Sequence, residues 1–188
     1  MWCGLMNQDV ESYRNQMVSY SYDEFRYYDY KYIYKCNQAI ESLATVSTKI
    51  SEADKALYTA EFRFLRAYAY FQMCIRMGGV PLVTKTQEYT AGMDVSELQL
   101  PRSSEADIYN FVYNECMAIE ADLAGNNNVT NKSRANQWAA LALASRSMLY
   151  AGSIAKYNLA EINQPLQGGV VGMTGEDPKP YYVKSFAA

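Results

Sequence analysis

The sequence contains no histidine. That one absence removes serine–histidine and cysteine–histidine nucleophile pairs, histidine-ligated zinc and histidine general bases. Positive charge is not in excess either. Seventeen Lys and Arg stand against 20 Asp and Glu, a formal net charge of −3, so the electrostatic footprint of a nucleic-acid binder is missing. No apolar run approaches the ~18 residues that a membrane-spanning helix needs. The start, Met1-Trp2-Cys3-Gly4, has neither the basic nor the apolar stretch of a secretion signal. No two of the cysteines Cys3, Cys36, Cys74 and Cys116 form a C-x-x-C pair, which excludes metal knuckles and thioredoxin-like motifs. Cys36, Cys74 and Cys116 fall on apolar helical stripes, where thiols are expected to be buried and free. These absences leave no catalytic set, no metal set and no reason to expect a cofactor.

What the chain does have is apolar and aromatic content. Its 188 residues are 49% hydrophobic and include 18 tyrosines. That suffices for one domain with a packed core. The apolar spacing is helical. A first helix is expected from the capping pattern Ser21-x-x-Glu24 to about residue 46, with Phe25, Tyr28, Tyr32, Cys36, Ile40 and Leu43 inward and Tyr27 and Tyr30 on another face. A second starts at Ser51, with Asp54 three residues on. It carries the stripe Leu57, Phe64, Tyr68, Phe71 and Ile75, and stops at Gly78-Gly79-Val80-Pro81. A linker spans 78–102, extended at 80–83.

A third helix starts at Ser103 or Ser104, with Glu105 and Asp107 at the positive end of its dipole. Its stripe is Ile108, Val112, Cys116, Ile119 and Leu123, and Gly125 and Asn126 end it. Asp107, Glu115 and Glu120 read as solvated. A fourth runs from about Ser133 to Lys156, rich in Ala and Ser and so suited to close helix pairing. Beyond Asn158 the chain reads as loop, with short strands near Val170-Val171, a turn at Asp177-Pro178-Lys179-Pro180 and a helix start at Pro180. The expected fold is all-α. Two helical hairpins occupy 21–77 and 103–156, flanked by a pre-helical segment 1–20 and a tail 157–188, in a tetratricopeptide-like layout without a strict 34-residue repeat. A two-turn terminal helix is marginal alone, so the sequence is expected to be part of a longer chain.

Certain strings narrow the reading further. Ala60-Glu61-Phe62-Arg63-Phe64-Leu65-Arg66-Ala67-Tyr68-Ala69-Tyr70-Phe71, followed by Gly78-Gly79-Val80-Pro81-Leu82, resembles the hallmark of the SusD/RagB family of Bacteroidetes outer-membrane nutrient-binding lipoproteins. Pro101-Arg102-Ser103-Ser104, Ile108-Tyr109-Asn110-Phe111, Arg134-Ala135-Asn136 and Leu149-Tyr150-Ala151-Gly152 resemble later family stretches, in order. The resemblance implies a SusD-like fold and non-catalytic binding of oligo- or polysaccharide at the cell surface. It also implies delivery to a SusC-like TonB-dependent transporter, with the membrane reached only through an upstream lipid anchor. Cys3 is not assigned that anchor role.

Glu61, Arg63, Arg66, Gly78, Gly79 and Pro81 are then scaffold positions. Arg63 and Arg66, three apart, share a helix side and can reach carboxylates or loop carbonyls. Trp2 and Asn7 resemble a tryptophan and an asparagine that contact sugar just before the first helix in the starch-binding founder of the family. Tyr20 and Tyr22 add aromatic faces for stacking. The competing function is a helical adaptor that binds peptide or protein.

Overall fold

The computed structural model describes residues 29–45, 50–126, 133–157, 170–173 and 175–188. Five α-helices occur among them, with no strand: α1 Tyr30–Thr45, α2 Glu52–Met77, α3 Glu105–Ile119, α4 Gln137–Tyr157 and α5 Pro178–Ala187. The all-α, hairpin-built fold class read from the sequence is the observed one. Among the described residues no strand forms at Val170-Val171, where short strands were expected; those two residues form a bend.

Local chemistry sets the helix starts. Ser51 accepts the Asp54 amide at 3.1 Å ahead of α2. Ser104 and Asp107 form a reciprocal capping box at the head of α3. Both were legible because an N-terminal turn leaves amides that a serine side chain satisfies. The start of α4 lies at Gln137, four residues beyond the expected Ser133, because the Asn136 side chain caps it by accepting the Ala139 amide at 2.9 Å. The start of α5 lies at Pro178, before the expected Pro180. Asp177, read from sequence as part of a turn, accepts the Lys179 amide at 3.0 Å and is the cap. At its other end α2 stops where Gly78 takes φ +74°, a conformation that costs glycine nothing. The third helix ends at Ile119, short of the expected Gly125, and a 3-10 turn over Asp122–Asn126 carries Leu123 into the core.

Each helix packs chiefly against its sequence neighbours. Inward residues of α2 (Tyr70, Phe71, Cys74), α3 (Ile108, Tyr109, Val112, Cys116, Ile119) and α4 (Ala140, Ala144, Met148, Ala151) form one buried cluster. Aromatic edges join the layers. Tyr70 meets Phe111 at 5.4 Å between centroids, and Phe71 meets Tyr150 at 5.5 Å. All five expected inward positions of α3 are buried.

In α1 the expected face is rotated. Tyr32 is 38% exposed, while Ile33, Cys36 and Asn37 are buried. Tyr30, expected to point elsewhere, is half-buried, and its hydroxyl donates to the Pro81 carbonyl. The cause is Asn37, which turns inward to serve the linker. In α2, Tyr68 is 46% exposed, because Arg66 and Ala67 take the inner face. The capping pattern at Ser21, together with Tyr27 and Tyr28, lies outside the described residues.

Candidate functional site

The scaffold positions named from sequence converge on the ends and middle of α2. Arg63 Nε and Nη2 donate to Glu115 Oε2 and Oε1 at 3.0 and 2.8 Å. Arg66 Nη2 donates to the same Oε2 at 2.9 Å. Arg66 Nη1 donates to Asn37 Oδ1 at 2.7 Å and to the Thr84 carbonyl at 3.0 Å. Asn37 then donates to the carbonyls of Val83 and Lys85. One charged hub thus ties α1, α2, α3 and the linker together.

Glu115 was expected on a solvated face. Its side chain is only 14% exposed, because two guanidiniums enclose it. Burial pushes the Glu115 carboxyl up, but the hydrogen bonds and charges of Arg63 and Arg66 outweigh that and hold it below the ordinary glutamate value.

A second clasp uses Glu61. Its carboxylate accepts Arg134 Nε and Nη2, both at 2.7 Å, and Asn126 Nδ2 at 2.6 Å. Asn126 also donates to the Ala135 carbonyl, so the approach to α4 is pinned to α2.

The double glycine permits a close backbone crossing. Gly79 donates to the Val170 carbonyl at 2.6 Å. A Cβ on Gly79 would collide with the Ser103 carbonyl oxygen, and one on Gly78 would lie within 3 Å of the Val170 oxygen and the Val171 side chain. The Pro81 carbonyl accepts from Tyr30, and the neighbouring Val83 amide donates to Tyr70 Oη at 2.7 Å.

Sequence reasoning missed Asn37, Glu105 and Glu115 as structural polar groups. Glu105 is 6% exposed and accepts the Gly172 amide at 2.7 Å. Burial raises its carboxyl above the usual range, opposed by the hydrogen bond from the Gly172 amide. Only the long-range fold brings residue 172 to it; the signal in sequence is limited to its place in the first turn of α3.

Two surface features remain. A shallow cleft of about 340 Å³ lies between the end of α1 and the start of α2. A groove of about 530 Å³ runs along α4 and α5, lined by Tyr182, Val183 and Phe186 among others, with Phe186 95% exposed. The sugar-contact residues proposed from sequence, Trp2, Asn7, Tyr20 and Tyr22, lie outside the described residues, as does Cys3.

The thiols are not poised for chemistry. Cys36, Cys74 and Cys116 are free and buried, and burial pushes Cys116 up to about 12, so its thiolate is scarce at neutral pH. Among the described residues no helix is long and apolar enough to cross a membrane.

The charged groups of this helical-hairpin scaffold hold its helices and linker together. The profile of the SusD-like family described as starch-binding and associating with the outer membrane matches residues 4–149. The chain belongs to that family.

Solved structures agree. A SusD-like protein from Bacteroides fragilis is 35% identical over 65% of this chain and 22% of its own, with a TM-score of 0.55. A SusD-like carbohydrate-binding protein from the same species is 27% identical over 73% of this chain and 27% of its own, with a TM-score of 0.53. A laminarin-binding SusD-like protein, 24% identical over 74% of this chain and 28% of its own, shares the fold at a TM-score of 0.56. The chain therefore spans about a quarter of the length of these relatives. Among curated proteins nothing matches.

Proposed function

We propose that this chain is the scaffold portion of a surface glycan-binding protein at the outer membrane. In this reading it binds oligo- or polysaccharide without cleaving it and hands it to a SusC-like TonB-dependent transporter. An anchoring lipid upstream of this region holds it at the membrane. The observation that carries the reading is the family match over residues 4–149. The buried thiols and the pairing of Arg63 and Arg66 with Glu115 support binding rather than catalysis. Trp2, Asn7, Tyr20 and Tyr22 are the proposed sugar contacts, with rings for the apolar sugar face and an amide for hydroxyls.

A second reading, capture of peptide or protein, is favoured by the apolar α4–α5 groove and exposed Phe186. Glycan-array binding, repeated with peptide mixtures as competitors and followed by analysis of the sugar products, separates the three cases. Binding to a defined glycan class, undiminished by peptide and with intact products, is expected. Competition by peptides alone would favour the adaptor, and cleaved products would overturn the non-catalytic assignment.

A further inference from the structure

We infer that the cleft between the end of α1 and the start of α2 is a subsite for one ring of a neutral saccharide; this rests on the glycan-binding reading. Its lining includes the methyl groups of Ala44, Ala56 and Ala60, apolar surface suited to the C–H face of a pyranose. The same lining carries Thr59, Arg63 and Asp122.

Among the described residues the Thr59 hydroxyl has no hydrogen-bond partner and the Asp122 carboxylate has no ion pair. Glu115 engages Arg63 through Nε and Nη2, which leaves Nη1 as the nitrogen it does not use. A donor, an acceptor and a group that is both thus border one cleft. Sugar hydroxyls, each donor and acceptor at once, match that set.

Charge argues for a neutral ligand. At the mouth Lys55 is paired with Glu52 at 2.7 Å, and Asp122 balances the outer side of Arg63, whose proton it helps to hold. The charged side chains lining the cleft, Glu52, Lys55, Arg63 and Asp122, are two of each sign, so it has no net charge to select an anion or a cation. The volume of about 340 Å³ sits at the low end of the ~300–1,000 Å³ typical of small-ligand sites.

The test is an amide NMR titration with neutral trisaccharides (maltotriose, laminaritriose and xylotriose), beside retention of the same protein in gels containing starch, laminarin or xylan. Two variants accompany it. Ala56→Leu fills the cleft from an exposed helical position, and Thr59→Val removes the hydroxyl while keeping the shape. The expected result is saturable shifts at the end of α1 and the start of α2 for at least one trisaccharide. Ala56→Leu should weaken them about tenfold or more, Thr59→Val less so, with both variants unfolding at the parent temperature. Retention on a polysaccharide with no shifts in the cleft, or with shifts that Ala56→Leu leaves unchanged, overturns the subsite and leaves the glycan-binding reading standing. No retention and no shifts with any of the sugars would defeat both.

Discussion

Where α2 meets α3, two guanidiniums converge on one carboxylate. Where α4 meets α5, a glycine and two serines let the backbones close up. Gly152 leaves room for the Tyr182 ring, and Ser145 and Ser185 donate reciprocally to each other's carbonyls at 2.7 and 2.8 Å. The first seam is directional. It fixes register and reaches out to the linker, since Arg66 also holds Thr84 and Asn37. The second combines small residues with two short serine–carbonyl bonds, and it fixes distance. A buried ionic hub adds little net stability against an apolar core of the same shape, yet breaking it from one side is severe. A small-residue seam fails gradually, as volume is added. The charged half of the molecule should therefore break all at once, and the small-residue half should loosen locally.

The largest effect that sharpens this contrast is expected from Glu115→Ala. Two enclosed guanidiniums would lose their shared counter-charge, at a cost of about 3–5 kcal/mol, read as a fall in the urea midpoint. Replacing Arg63, Arg66 and Glu115 together by methionine should recover part of that loss. A Glu115→Ala variant as stable as the parent would show that the hub is decorative.

Next comes Gly79→Ala, whose new methyl meets backbone at Ser103 rather than a movable side chain. The expected cost is about 3 kcal/mol, the upper end of ordinary overpacking. Gly152→Ala places a methyl 2.9 Å from the Tyr182 ring. The half-buried ring can swing aside, and the helix gains from alanine, so a net loss of about 1 kcal/mol is expected. Hydrogen exchange should quicken in α5 and not in α2.

The buried Glu105 and the partly buried Glu115 should titrate with opposite sign. Glu115 has a depressed folded pKa, so its contribution is complete above the unfolded value of about 4.3 and is lost as pH falls through the folded value. Glu105 has a raised folded pKa. Its proton-linked stability is complete below about 4.3 and is lost as pH rises through the folded value. Stability–pH curves of Glu115→Gln and Glu105→Gln should accordingly differ from the parent in opposite directions; curves that move the same way would contradict the assigned environments. The smallest expected effect belongs to Phe186→Ser. At 95% exposure the change should alter stability by under about 0.5 kcal/mol, while lowering self-association in sedimentation.

Much of this scaffold was legible because its signals are local. Ser51 and Ser104 cap within three residues of their partners, and the α3 stripe repeats within one helix. What escaped the sequence is long-range. Glu115 lies 52 and 49 residues from its arginines, so a carboxylate that reads as solvated becomes a hub centre only once α3 docks. Asn37 falls on no expected stripe, yet it is buried, where its amide donates to the Val83 and Lys85 carbonyls, and Ile33 rather than Tyr32 faces inward. Arg63 and Arg66 were placed correctly as partners of carboxylates and loop carbonyls, since their spacing puts both on one face. The proposed sugar contacts Trp2, Asn7, Tyr20 and Tyr22 come from the family resemblance and lie outside the described residues.

The most direct test of the glycan-binding assignment is electrophoresis of the purified protein through gels with and without starch, laminarin or xylan, using a non-binding protein as the mobility reference. The account predicts selective retardation by at least one polysaccharide, relieved by the matching free oligosaccharide. Unchanged mobility in all three, together with retention on peptide columns, would contradict it.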